Sequence, residues 1–132
     1  MRHALLFLAF LGCGLVPVAA APAAHAQESA GPDGPSLALL EDLASMLGQA
    51  HAIRSVCNGD SDQTWRNYMF ELLNLEGPRG PRRSALTSAF NRGYRIQSRS
   101  NGRCTADLVS VEAAIAARGR QLADEAAAAY LQ

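Results

Sequence analysis

Lysine is absent. All 12 basic side chains of the 132-residue chain are arginine, which removes Schiff-base chemistry, a P-loop lysine and the β3 lysine of protein kinases together. An excess of one charge is missing too. Twelve acids balance the arginines and the pI lies near 6.8, so the strongly basic footprint of a nucleic-acid-binding domain is not there. Catalytic signatures are equally scarce: no G-x-S-x-G, H-E-x-x-H, G-x-G-x-x-G or C-x-x-C occurs. Neighbouring carboxylates do occur, as in Glu41-Asp42 and Asp124-Glu125, but adjacent helical residues point about 100° apart and cannot flank one bond. The expectation is a non-enzyme without cofactor or metal. Strand patterning is absent as well, since no alternating apolar and polar run of useful length appears.

What is there begins with an address. Arg2 and His3 precede a charge-free stretch from Ala4 to Ala24, and Ala24-His25-Ala26 stands just before Gln27. A short positive start, an apolar middle and small residues at an A-x-A site read as a cleaved secretory signal peptide over residues 1–26. Gly12, Gly14, Pro17 and Pro22 interrupt the stretch, so a membrane-spanning helix is not expected. A lipid anchor at Cys13 is the lesser alternative, because Phe10 stands where such sites prefer leucine. An exported chain is expected in the periplasm. Removal of the signal leaves Cys57 and Cys104, and two cysteines in an oxidising compartment imply one disulfide. Closing that loop is worth about 4 kcal/mol on chain-entropy grounds.

Residues 27–35 (QESAGPDGP) read as a short disordered leader. The domain is placed at 36–132. Ser36 caps a first helix to about Val56, carrying Leu40, Leu43, Leu47 and Ala50 at helical spacing, and Cys57-Asn58-Gly59 ends it. Asp60 to Asp62 offer caps for a second helix, with Gln63 at capping-box distance from Asp60. Its stripe is Trp65, Tyr68, Met69, Leu72 and Leu73, with Trp65 and Tyr68 expected as core anchors. Gly77-Pro78-Arg79-Gly80-Pro81 breaks that helix. A third carries Leu86, Phe90, Gly93, Tyr94 and Gln97, and a fourth, capped by Thr105, carries Leu108, Val111, Ile115, Gly119, Leu122, Ala126 and Ala129. The fold class is all-α: a small four-helix bundle with one disulfide, preceded by the signal peptide and the leader.

Charge is unevenly spread. Arg79, Arg82, Arg83, Arg92, Arg95, Arg99 and Arg103 fall between Glu76 and Asp107 with no acid among them, whereas the rest of the mature chain has four arginines against twelve acids. On one continuous helix Arg92, Arg95, Arg99 and Arg103 would lie within about 80° of one another. Such a row is either a solvated or internally paired helix face, or a docking surface for an anionic envelope component or an acidic protein. Opposed charge blocks also permit self-association. Elsewhere the candidates are fewer. Asp60, Asp62 and Glu71 match the first, third and last positions of a calcium loop, but Trp65 stands where a glycine must make the turn. His51 has no second histidine in the mature chain to share a metal.

The strings LGQAHAIRSVC (Leu47 to Cys57), TWRNYM (Thr64 to Met69) and AFNRGYR (Ala89 to Arg95), together with Cys104, resemble an uncharacterised family of small exported proteobacterial proteins. That resemblance covers roughly Leu39 to Tyr130. It implies a periplasmic protein with two separated, paired cysteines; the family carries no established activity. The same strings bring out a polar cluster of His51, Arg54, Arg66 and Asn91, which either buckles the helices through buried hydrogen bonds or lines a small pocket. The functional expectation is a periplasmic interaction protein that presents its arginine face to a partner. A periplasmic chaperone or stress-protection protein is the alternative.

Overall fold

A computed structural model describes residues 34–76, 79–100 and 102–131. The expected signal peptide, Cys13 and leader residues Gln27–Asp33 lie outside them. Gly34 and Pro35, the last two leader positions, are described: Pro35 is buried, its carbonyl accepts a 3.0 Å hydrogen bond from Arg82 Nη2, and Gly34 sits against the Tyr130 ring. The packed chain therefore begins before Ser36.

Four helices follow: α1 Leu37–Asn58, α2 Thr64–Leu75, α3 Pro81–Ser98 and α4 Ala106–Ala129. Their starts follow from short polar side chains that satisfy otherwise unpaired N–H groups. Ser36 Oγ accepts from the Leu39 amide at 3.2 Å, and Thr105 Oγ1 from the Leu108 amide at 3.1 Å. α1 ends where Gly59 takes φ 88°, a left-handed conformation that costs glycine little. The start of α2 departs from the capping-box expectation. Asp62, not Asp60, is the acceptor, taking the Thr64 amide at 3.1 Å and its hydroxyl at 2.7 Å, while Gln63 reaches back to the Asp60 carbonyl at 2.6 Å.

α1 is the centre of the bundle, with each of the other helices packed on it. The closest pair is α1 with α3, and two glycines explain it. A Cβ on Gly48 would run into the Phe90 carbonyl, and one on Gly93 into the Ser45 carbonyl, so the backbones touch only because both side chains are missing. Leu40, Leu43, Ala44 and Leu47 of α1 bury themselves against Met69, Leu72 and Leu73 of α2, Leu86, Ala89 and Phe90 of α3, and Leu122 and Ala126 of α4. Two expected core positions are not core. Tyr68 is 50% exposed and Val111 43% exposed, whereas Glu112, one position further on α4, is 7% exposed. The buried face of α4 thus takes a carboxylate in place of the valine.

α2 and α4 rest on α1 without backbone-close contact with each other. Between them lies an apolar groove of about 460 Å³, floored by Leu43 and Leu47 and walled by Tyr68 and Leu75 on one side and Ala116 and Ala123 on the other. Side-chain bonds tie the walls at both ends: Trp65 Nε1 donates to Glu112 Oε1 at 2.8 Å, and the Tyr130 hydroxyl donates to Glu76 Oε1. No helix among the described residues is long and apolar enough to cross a membrane.

Candidate functional site

The arginine row is shorter as a helix face than its spacing predicts. α3 ends at Ser98 and Arg99 is its C-cap, so Arg103 belongs to the connection into α4 beside Cys104. Arg92, Arg95, Arg99 and Arg103 are all exposed. Among the described residues none of the four guanidinium groups makes a hydrogen bond or an ion pair. Ile96, in the same stretch of α3, is 53% exposed. The arginines nearer the start of α3 behave differently: Arg82 Nε bonds Glu76 Oε2 at 2.7 Å and Arg83 Nη1 bonds the Leu73 carbonyl at 2.7 Å. These two hold the α2–α3 corner together.

The polar cluster divides between two sides of α1. Arg54 points toward α4, where its Nε and Nη2 lie 2.7 and 2.5 Å from Glu112 Oε1, and its Nη1 lies 3.5 Å from Asp62. Its guanidinium also stands 5.9 Å from the centre of the Trp65 ring. Three helices thus meet on one nearly buried carboxylate, and Arg54 links the α1–α2 connection to it through Asp62. The hydrogen bond to Glu112 raises the Arg54 pKa further above its ordinary value. Hydrogen bonds from Asn58 and Thr64, then the Arg54 charge, hold the Asp62 carboxyl well below the usual range. Glu112 was invisible to sequence reasoning. The available signal was a charged residue adjacent to Val111 in the α4 stripe, with Arg54 of the expected polar cluster in want of a counter-ion.

At the other end of the groove, burial and then the bond to Glu76 push the Tyr130 hydroxyl up to about 12.

His51, Arg66 and Asn91 fall on the far side of α1, around a cavity of about 500 Å³ between α1, α2 and α3. His51 is 6% exposed and its ring lies 5.9 Å from that of Phe90 and 5.7 Å from that of Tyr94. Its Nδ1 is buried without a hydrogen-bond partner among the described residues. Burial first, and then the Arg66 charge, lower its pKa against the opposing pull of Asp60 and Asp62. Arg66 and Asn91 are exposed at the mouth of the cavity. Among the described residues no group of three metal-ligating side chains is assembled.

Cys57 and Cys104 are joined in a disulfide, their Cα atoms 4.9 Å apart, tying the last turn of α1 to the residue before the Thr105 cap.

Taken together, the described residues form an all-α protein with a central helix, a Cys57–Cys104 disulfide, and a concave site on either side of α1. The chain matches, over residues 35–130, a family described as a protein of unknown function, DUF2385. It belongs to that family. No curated protein and no solved structure matches it.

Proposed function

We propose that this is an exported, non-enzymatic interaction protein that uses Arg92, Arg95, Arg99 and the adjoining Arg103 to dock an acidic surface of a partner protein in the periplasm. One observation carries the reading: these exposed cations have no partner of their own among the described residues. A helix C-terminus favours a nearby cation by about 0.3–1 kcal/mol, which accounts for Arg95 or Arg99 but not for the whole set. Arginine is enriched at protein interfaces because its planar fork binds carboxylates bidentately and its hydration is weak. The half-exposed Ile96 supplies the apolar contact that a protein partner rewards and a simple polyanion does not. Support for export comes from the charge-free run from Ala4 to Ala24, the Ala24-His25-Ala26 site, and a cysteine pair of the kind that persists in oxidising compartments.

The test is photo-crosslinking in the producing cell from positions 95 and 99, with mass spectrometry of the adducts. One dominant protein adduct, joined at an acidic segment and lost in an Arg92→Glu/Arg99→Glu variant of unchanged melting temperature, is the expected result. Adducts confined to this same chain, to anionic glycolipid, or to many unrelated proteins would overturn it. The last pattern is that of a chaperone.

A further inference from the structure

The cavity on the far side of α1 has no part in the arginine row, since Arg92, Arg95 and Arg99 do not line it. Its volume of about 500 Å³ falls within the range of small-molecule sites. Two opposite charges line it: Arg66, early in α2, and Asp60, in the α1–α2 connection. They do not pair with each other. Among the described residues neither side chain forms any hydrogen bond or ion pair. The Asn91 amide joins them at the mouth, and it too is unengaged. Behind these polar groups the wall is apolar, formed by the buried Met69, Leu73 and Phe90.

We infer that this cavity binds a small zwitterion of the amino-acid class with an apolar side chain, its carboxylate on Arg66 and Asn91, its ammonium on Asp60, and its side chain against Met69, Leu73 and Phe90. The charges select that class. A simple anion that gains Arg66 is repelled by Asp60, and a simple cation that gains Asp60 is repelled by Arg66. A ligand carrying both charges satisfies both. His51 supports the same reading from inside the wall. Its ring belongs to the cavity lining, and its buried Nδ1 has no hydrogen-bond partner among the described residues. The lowered pKa of the imidazole keeps it neutral near pH 7, so it adds no third charge to the balance.

The experiment is isothermal titration of the purified chain with L-leucine and L-phenylalanine, followed in parallel by the NMR signals of the His51 ring. Arg66 and Asp60 are exposed, so Arg66→Gln and Asp60→Asn leave the fold intact, which a thermal melt verifies. The expected result is one-to-one binding with movement of the His51 signals. Each cavity variant weakens it about tenfold or more, the size of one lost charge-assisted hydrogen bond. N-acetyl-L-leucine, which lacks the ammonium, and leucinamide, which lacks the carboxylate, lose a similar factor. Arg95→Gln binds like the parent chain, which keeps this site separate from the docking row. Absence of binding at about 10 mM amino acid, phosphate binding as tightly as L-leucine, or either cavity variant behaving like the parent chain would overturn the inference.

Discussion

Replacement of Glu112 by alanine removes the acceptor for Arg54 and Trp65 at once, and the cost follows from the geometry. Hydrogen bonds to a charged group contribute about 1.5–3 kcal/mol each; Arg54 Nε makes one to Glu112 Oε1 at 2.7 Å, and its Nη2 adds an ion-pair contact at 2.5 Å. Part of that is recovered, because the Arg54 side chain is 28% exposed and keeps Asp62 at 3.5 Å. The indole of Trp65 also loses its 2.8 Å acceptor. The expected loss is about 2–3 kcal/mol, or about 10–20 °C in Tm for a domain of this size. Trp65 is the only tryptophan of the chain, so urea unfolding followed by its fluorescence reads both the local environment and the global transition. Glu112→Gln keeps a carbonyl acceptor without the charge and should lose about 1 kcal/mol. Removing both charges together, as Arg54→Met with Glu112→Leu, should cost less than the sum of the single changes, because neither partner is left stranded. A loss below about 0.5 kcal/mol for Glu112→Ala, the worth of an exposed surface pair, would refute the reasoning.

Replacing Cys57 and Cys104 by serine opens a loop of 47 residues and should lower stability by about 4 kcal/mol, measured as a shift of the urea midpoint that reductant reproduces in the parent chain. Gly48→Ala and Gly93→Ala each drive a methyl group into a carbonyl of the opposite helix and should cost about 3 kcal/mol, whereas Gly102→Ala, with open space around it, should melt like the parent. The lowered pKa of His51 makes the unfolded chain the better proton acceptor. Its contribution to stability is therefore whole above about pH 6.5 and is lost as pH falls from there toward the folded value. Denaturant midpoints at about pH 7.5 and 5.5 measure the slope, and His51→Gln should flatten it.

Helix limits were legible where the residue that ends a helix also supplies the chemistry of ending it. Ser36 and Thr105 cap with their own hydroxyls, Gly59 takes the left-handed turn, and Pro81 opens α3. The cysteine pairing was legible for the same kind of reason, since only two cysteines follow the expected cleavage site. The functional surroundings of Arg54 were not. Its partner Glu112 is 58 residues away, and on hydropathy alone Val111 is the better candidate for the buried stripe. Only the arrival of Arg54 and Trp65 at that point of α4 reverses the choice. The polar cluster divided because His51 and Arg54, three positions apart on α1, lie about 60° apart around the helix axis. That rotation sends one toward α3 and the other toward α4. Tyr68 shares the stripe of Met69 and Leu72, yet it stays half exposed because α4 stands back from α2 along the groove.

The placement of α4 has a mechanical consequence. Its backbone rests on α1 alone, its start is pinned covalently through Cys104, and its far end is fastened to α2 by the single bond between Tyr130 and Glu76. Any opening at the Tyr130 end must therefore draw Leu122 and Ala126 out of the core, while the Glu112 bonds hold α4 close to the covalent tie. Such a movement widens the apolar groove and leaves the glycine-built contact between α1 and α3 untouched. With the disulfide intact the start of α4 stays covalently beside the end of α1; once reduced, it is held there by the Glu112 bonds and the short connection from α3 alone.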